Sequence, residues 1–296
     1  MMDALHLMRC KFAPDHVFDY CLDNGLIAKS KIWQCGGIMQ LQKYTEAIDG
    51  FVYRCIECRR RKSVREGTFF SRSKLLLTKI LMICNFWVLK RPVTATAYET
   101  ENSEVSAVQW YNYCRDVSSW KMNSLTQVLG GVGVIVHIDE TVLIKRKYNR
   151  GRLQSNQQWI LGIYDTTLRK GYIEAIPNRS AGVLLPIIQR LVLPGTTIHT
   201  DEWSAYRQLS NHGYIHYVVN HTEGFRNPVD GTHTNSIESL WDRLKRRIRA
   251  VNGSRNPMIY SYLDEFMYRN WFNMTMKTPM RNWEVFLQHI RERYPL

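Results

Sequence analysis

The chain contains 296 residues, 45% of them hydrophobic, and is therefore long enough for about two domains with apolar cores. Its 40 lysine and arginine residues outnumber its 26 aspartate and glutamate residues, and the resulting net charge of +14 indicates a polyanionic partner. Because the sequence contains neither a long uninterrupted apolar run nor the pattern of a signal peptide, we expect an intracellular protein without membrane-spanning segments.

The amino-terminal part of the chain contains a cysteine pattern that is typical of zinc sites. Cys55 and Cys58 form a C-x-x-C pair, and Cys35 precedes it, but the position three residues after Cys35 is Ile38. With cysteine there, about 16 residues would separate the two pairs, a spacing within the range of zinc ribbons. Structural zinc needs four ligands, so the site lacks one unless Cys21, His16 or another residue supplies it. The alternative is a hairpin stabilised by apolar packing, in which Cys55 and Cys58 are ordinary core residues.

A basic segment follows the C-x-x-C pair directly. With or without zinc, we expect this segment to contact DNA phosphates, because several cations are concentrated within a few residues. The predicted DNA-contacting residues are Arg59, Arg60, Arg61, Lys62 and Arg65.

Three helices are predicted after the cysteine module. Residues 73–90 are apolar at helical spacing, and residues 93–98 and 103–116 are predicted to form two shorter helices joined by the segment ETEN. The two shorter helices form a candidate helix-turn-helix. A helical bundle that only links two domains is the alternative.

The second half of the chain has the pattern of an α/β domain with acidic residues at the ends of strands. Residues 131–138 form an unbroken apolar run, which predicts a strand buried on both sides and followed by Asp139. Residues 197–200, after a Pro-Gly stop, predict a second strand that leads into Asp201. Further strands are expected at 159–164, 172–176 and 214–219, and helices near 183–193 and 204–209.

A third acidic residue lies in the segment HTNSIESLWDRLKRRIR, whose apolar residues repeat at spacings of three and four. This spacing predicts an amphipathic helix, with Glu238 in its first turn or two and Lys245 two turns further along. Each acid also has an ordinary structural interpretation. Asp139 and Asp201 could be turn or cap residues, and Glu238 could form a capping box with Asn235.

The element order, with the acids in HIDET, IHTDEWSAY and HTNSIESLWDRLKR, resembles that of DDE transposases with an RNase H-like fold. The similarity is greatest to the Merlin superfamily and its bacterial insertion-sequence relatives, and it extends from about residue 54 to residue 269. The resemblance implies that Asp139, Asp201 and Glu238 are catalytic residues that bind metal. It also implies that Lys245 is the basic residue that follows the last acid.

The architecture implied by this resemblance is an RNase H-like mixed sheet flanked by helices. A degenerate zinc-ribbon-like hairpin, with Cys35, Cys55 and Cys58 as ligands of a structural zinc, and a small helix-turn-helix-like domain precede it. The expected boundaries are residues 1–70 for the amino-terminal region, 71–125 for the helical domain and 126–296 for the catalytic domain.

The chemistry implied by the resemblance is cleavage and strand transfer at the ends of a transposon. Carboxylates prefer hard cations, so two Mg²⁺ or Mn²⁺ ions are the expected cofactors. Double-stranded DNA, as transposon ends and as target, is the expected partner of a homo-oligomer, most simply a dimer. The location would be the nucleus in a eukaryote and otherwise the cytoplasm. Further predicted DNA-binding residues flank the acids: Lys145, Arg146, Lys147, Lys245 and Arg246.

Two other functions are compatible with the same residues. A structure-specific RNase H-like nuclease would share the acids but would not need an amino-terminal module for end recognition. A domesticated DNA-binding protein without catalysis is favoured by the missing cysteine at Ile38 and opposed by three intact acids.

Overall fold

The computed structural model describes residues 14–143, 158–219, 233–251 and 258–296. The chain divides into two compact units, one of residues 1–121 with 274–296 and the other of residues 122–273. Within the described ranges, no helix is both long and apolar enough to cross a bilayer.

The first unit begins with a helix and a small antiparallel sheet. Helix α1 (Pro14–Asp23) precedes four strands: β1 (Ser30–Ile32), β2 (Ile38–Lys43), β3 (Phe51–Cys55) and β4 (Arg61–Ser63). The strands pair in sequence order, each antiparallel to the next. This is the zinc-ribbon-like hairpin region that the cysteine spacing predicted.

Arg65 corrects one of the predictions for this region. It is buried, and its guanidinium donates to both carboxylate oxygens of Asp49 at 2.6 and 2.5 Å. It also donates to the backbone oxygens of Ser73 and Leu75. Because these contacts use its donors inside the unit, Arg65 is a structural residue rather than part of the DNA-contacting segment.

Four helices complete the first unit. They are α2 (Leu77–Val88), α3 (Val93–Glu99), α4 (Glu104–Ser124) and, at the carboxyl terminus, α8 (Pro279–Arg293). Helices α3 and α4 correspond to the two short helices of the predicted helix-turn-helix, and the hydroxyl groups of Thr96 and Tyr111 lie 2.7 Å apart between them.

Residues 274–296 group with the first unit, although the sequence placed them with the catalytic domain. The reason is apolar packing: Trp87 of α2 and Phe286 of α8 are both buried, with their ring centroids 5.0 Å apart. The other predicted boundaries remain predictions.

The second unit contains a mixed five-stranded sheet. Its strands are β6 (Ile135–Val142), β7 (Trp159–Asp165), β8 (Lys170–Ile176), β10 (Thr197–Thr200) and β11 (Ile215–Val218), in the spatial order β11-β10-β6-β7-β8. Strands β6, β7 and β8 are antiparallel neighbours, whereas β10 is parallel to both β6 and β11. The chain therefore has the RNase H-like α/β fold that was expected.

Helices and short elements flank this sheet. The helices are α5 (Ala181–Leu191), α6 (Asn235–Ala250) and α7 (Ile259–Trp271), and a two-residue strand β5 (Leu129–Gly130) pairs with β9 (Val192–Leu193). Residues of α5 such as Leu184 and Ile188 join the buried core with Val136 and Ile138 of β6.

Strand β6 begins later than predicted. The sequence placed a strand over residues 131–138, with Asp139 just beyond its end. Gly131 and Gly133 instead have φ values of 127° and 79°, a backbone region that breaks a strand. The strand consequently starts at Ile135, and Asp139 is paired within the sheet, opposite Gly162.

His289 of α8 generates a prediction for the pH dependence of stability. Burial, together with the charge of Lys121, lowers the pKa of His289 to about 4. The unfolded chain therefore binds a proton near pH 6.5 that the folded chain excludes, so we expect stability to fall as the pH decreases from about 6.5 towards 4. His289→Gln should reduce the slope of the unfolding midpoint against pH in that window, and His16→Gln, at an exposed position, should leave it unchanged. Equal slopes for His289→Gln and the wild type would contradict the assignment.

Candidate active site

Strand pairing brings two of the three predicted acids together. The register of the parallel strands sets His199 of β10 opposite His137 of β6, so Asp201, two residues beyond His199, comes beside Asp139. Oxygen atoms of Asp139, Asp201 and the neighbouring Glu140 all lie within 4.8 Å of one another. Three carboxylates at this separation can hold a divalent cation.

Asp139 is oriented by a helix on the opposite side of the sheet from α5. The indole Nε1 of Trp241 in α6 donates a hydrogen bond of 2.8 Å to Oδ2 of Asp139. The Trp241 ring lies against Gly162, the strand neighbour of Asp139, where a Cβ atom would collide with it. The glycine therefore permits the close approach through which Trp241 positions the carboxylate.

Glu140 is the carboxylate that the sequence did not single out. It is buried, and its Oε1 accepts a hydrogen bond of 2.5 Å from the Tyr206 hydroxyl. Burial raises the pKa of Glu140 to about 7; Asp139 and Asp201 also raise it, while the Tyr206 bond and Arg179 lower it. Its Oε2 has no hydrogen-bond partner among the described residues. A buried carboxylate oxygen without a partner, beside two more acids, fits a site for Mg²⁺ or Mn²⁺.

Glu238 is in the first turn of α6, as predicted, but it is not part of the carboxylate cluster in the described structure. Its Oε1 accepts from the Thr234 hydroxyl at 3.1 Å. The predicted capping box between Asn235 and Glu238 is not formed as expected, because the N-cap residue is Thr234 and Asn235 is the first residue of the helix. The role of Glu238 in metal binding stays a prediction.

Glu238 nevertheless lies on the face of α6 whose side chains contact β6. Trp241 contacts Asp139, and Lys245, one turn further, donates from Nζ to Oγ1 of Thr141 at 2.7 Å. Glu238 is three residues before Trp241 and therefore lies on nearly the same helix face.

Three imidazole rings lie close together beside the acids: His137 on β6 and His199 on β10, each two residues before an aspartate, and His233, two residues before α6. The ring of His137 stacks on His199 with centroids 5.3 Å apart and meets His233 edge to face at 5.0 Å. Burial, reinforced by His199 and His233, lowers the pKa of His137 to about 3. His137 is therefore neutral near pH 7 and adds no positive charge that would oppose a cation bound at the acids.

The three predicted zinc ligands of the first unit converge. Cys35 Sγ lies 3.5 Å from Cys55 Sγ and 3.4 Å from Cys58 Sγ. Thiolates at such distances suit a soft cation such as Zn²⁺. The side chain of Ile38, at the position of the missing cysteine, is 46% exposed. Cys21 is buried and does not belong to this cluster, so within the described residues it is not the fourth ligand.

The predicted DNA-contacting residues differ in their surroundings. Arg59, Arg60 and Arg61 are exposed, Lys62 is within 3.4 Å of Glu66, and Arg246 pairs with Asp242 at 3.0 Å. Lys245 donates to Thr141, as described above. Lys145, Arg146 and Lys147 lie outside the described residues.

Comparison with known proteins identifies the region that contains the acids. Residues 128–270 match the family described as the ISXO2-like transposase domain. Over 203 residues, 61% of this chain, the sequence is 24% identical to male abnormal protein mab-31 of Caenorhabditis elegans. The alignment covers 48% of that protein, so the chain spans about half the length of the curated relative it matches.

Three solved structures are also similar. The integrase catalytic core domain of HTLV-2, in complex with magnesium, is 13% identical with a TM-score of 0.31, over 48% of this chain and 88% of that one. The BIV integrase catalytic core domain is 16% identical with a TM-score of 0.31, over 46% and 80%. The intasome of simian T-cell lymphotropic virus, in complex with PP2A regulatory subunit B56 gamma, gives 15% identity and a TM-score of 0.33, over 63% and 67%.

Trp241 generates a prediction about metal affinity. Trp241→Phe should keep the ring against Gly162 but remove the N–H that orients Asp139. Loss of such an outer hydrogen bond to a ligand costs about 10–100-fold in metal affinity, and we expect Mn²⁺ binding, measured by calorimetry, to weaken accordingly. Trp271→Phe is the matched control, because it removes a 2.8 Å bond from an indole to the Gly171 oxygen. Equal Mn²⁺ affinity in the two variants would exclude the orienting role.

Ile38 generates a prediction about zinc content. Ile38→Cys should complete a four-thiolate site with Cys35, Cys55 and Cys58, and zinc in the purified protein should rise to one equivalent per chain. The control is Ile48→Cys, which adds a thiol at a position of equal exposure, 46%, without completing the C-x-x-C spacing. Elemental analysis decides between them. A full equivalent of zinc already present in the wild type would show that a fourth ligand exists.

Proposed function

We propose that this chain, whose residues 128–270 form an ISXO2-like transposase domain, is a DDE transposase that cuts DNA at the ends of a mobile element and joins them to target DNA. The observation that carries the proposal is the meeting of Asp139 and Glu140, within β6, with Asp201, which directly follows the parallel strand β10. Acids gathered from separate elements fix the geometry of a metal site in a way that one sequential cluster would not.

We assign metal binding to Asp139, Asp201 and Glu238, with Glu140 as a supporting carboxylate. The support for Glu238 is its position on the same face of α6 as Trp241 and Lys245, which contact Asp139 and Thr141. Glu140 accepts a hydrogen bond from Tyr206 on the side of the sheet away from α6. This bond fixes the position of its carboxylate, which suits a residue that adds negative charge beside the metal ligands. Two divalent cations held here would stabilise the charge on the attacking and leaving oxygens of a phosphodiester.

The proposed reaction has two balanced steps. In the first, a water oxygen attacks the phosphorus, the bond from phosphorus to the 3'-oxygen breaks, and that oxygen takes up a proton while the water loses one. In the second, the freed 3'-hydroxyl attacks a phosphorus of target DNA, its proton is released, and the target's own 3'-oxygen leaves and is protonated. One phosphodiester is formed for each one broken, so strand transfer needs no external energy source.

The first unit supplies the proposed DNA contacts outside the catalytic centre. Arg59 and Arg60 lie in the turn between β3 and β4, and Arg61 begins β4. All three are exposed, and exposed cations of this kind neutralise phosphates. Helices α3 and α4 are the proposed reader of the terminal repeat. Double-stranded DNA is thus the proposed partner, of a homodimer in the nucleus or, in a bacterium, the cytoplasm.

The proposal predicts different effects for the two glutamates. Asp139→Asn, Asp201→Asn and Glu238→Gln should each abolish cleavage, because each removes a metal ligand, whereas Glu140→Gln should retain activity about 10–100-fold below the wild type. The assay is cleavage of a labelled duplex that carries the inverted repeats flanking the coding sequence, in Mg²⁺ and in Mn²⁺. Binding of the same duplex, followed by gel shift, should persist in all four variants.

Several outcomes would change the assignment. Near-normal cleavage by Glu238→Gln together with complete loss in Glu140→Gln would make Glu140 the third ligand. Cleavage by the wild type without transfer of the 3'-end to a target plasmid would favour a nuclease. Binding of the duplex without any cleavage would favour a domesticated DNA-binding protein.

A further inference from the structure

An arginine that packs against two tryptophans lies near the acids, at the carboxyl ends of β6 and β10. The guanidinium carbon of Arg179 is 4.2 Å from the ring centroid of Trp159 and 4.2 Å from that of Trp203. The indole N–H of Trp203 donates to the backbone oxygen of Arg179 at 2.9 Å, which ties the stack to the loop before α5. We call these three residues the Trp-Arg-Trp stack.

The connection between the stack and the acids is direct. Trp203 follows Asp201 by two residues, and its backbone N–H donates to Oδ1 of Asp201 at 3.0 Å. Trp159 begins β7 opposite Val142, three residues beyond Asp139 on β6. The chain segments that carry the acids therefore also carry the two rings.

The stack leaves the edge of the guanidinium free. Two indole rings pack against the guanidinium of Arg179, but within the described ranges its side chain makes neither a hydrogen bond nor an ion pair. Other arginines of this unit behave differently: Arg190 pairs with Glu174, and Arg247 and Arg269 both pair with Glu265. Arg179 is thus pre-oriented by the rings while its N–H donors remain available to a ligand.

The nature of that ligand follows from the surroundings. The three clustered carboxylates repel a DNA strand, and a fixed positive charge beside them offsets part of this repulsion. A planar guanidinium presented edge-on matches the two oxygens of a phosphate, which a lysine cannot bind in the same way.

We propose that Arg179, clamped between Trp159 and Trp203, binds a backbone phosphate of the DNA strand that enters the acidic cluster. This inference rests on the proposed function and adds a substrate-binding residue to it. The alternative is that the stack only closes the rim of the site and its guanidinium remains in water.

The test is the salt dependence of DNA binding, because each neutralised phosphate contributes about 0.9 to the slope of log K against log salt. Arg179→Ala should lower that slope by about 0.9 on the inverted-repeat duplex, measured by fluorescence anisotropy in Mg²⁺. Arg179→Lys should keep the slope but bind about tenfold more weakly, because the ammonium cannot make the paired hydrogen bonds. Arg207→Ala removes an exposed charge six residues after Asp201 and should leave the slope unchanged.

Two further readouts separate this idea from a structural role and from the function itself. Mn²⁺ affinity should not weaken in Arg179→Ala, whereas collapse of the rim would weaken it. A wild-type slope in Arg179→Ala, or an equal loss in Arg207→Ala, would overturn the phosphate contact. If the wild-type protein does not cut the duplex at all, the proposed function fails, yet the slopes still decide whether Arg179 contacts phosphate.

Discussion

The acidic cluster depends on the parallel pairing of β6 with β10, and above all on its register. Because His137 stands opposite His199, the residues that follow each histidine by two positions must meet, and both are aspartates. A shift of one residue would turn one carboxylate to the other face of the sheet. The apolar residues Val136, Ile138 and Ile198, all fully buried on the α5 side, hold this register, so the core fixes the spacing of the acids.

That register has an electrostatic cost, and the surrounding residues reduce it. Burial raises the pKa of Glu140 to about 7, so full ionisation of all three carboxylates is unfavourable when no cation is bound. Trp241 and Tyr206 each donate a hydrogen bond to one carboxylate, from opposite faces of the sheet. Their donors stabilise the ionised acids without neutralising them, which leaves the cluster able to attract a cation. Such sites trade folding stability for function.

The sequence predicted what depends on local pattern and missed what depends on contacts through space. Apolar runs and helical spacing located most of the strands and helices, and with them Asp139, Asp201 and the first turn of α6. Glu140 was missed because an acid beside an acid in a strand carries no periodic signal. Trp241 is one of the apolar residues whose spacing predicted α6, but its bond to Asp139 depends on the absence of a side chain at Gly162, which sequence pattern does not reveal.

Two errors have the same origin in tertiary structure. The segment 131–134 has strand-like composition, yet its glycines adopt positive φ and delay the strand until Ile135. The sequence grouped Arg65 with the cations of the basic segment. In the structure its guanidinium is buried and forms an ion pair with Asp49, 16 residues earlier in the chain. The C-x-x-C spacing, in contrast, is local, and it correctly indicated that Cys35, Cys55 and Cys58 converge.

The two candidate metal sites are chemically independent of each other. One offers only sulfur and the other only carboxylate oxygen, so zinc prefers the first and magnesium the second. Each also belongs to a separately packed unit with its own buried residues. The two candidate sites therefore have no ligand in common. This separation is the physical reason to expect DNA recognition to survive the loss of catalysis, and it allows the two activities to be measured one at a time.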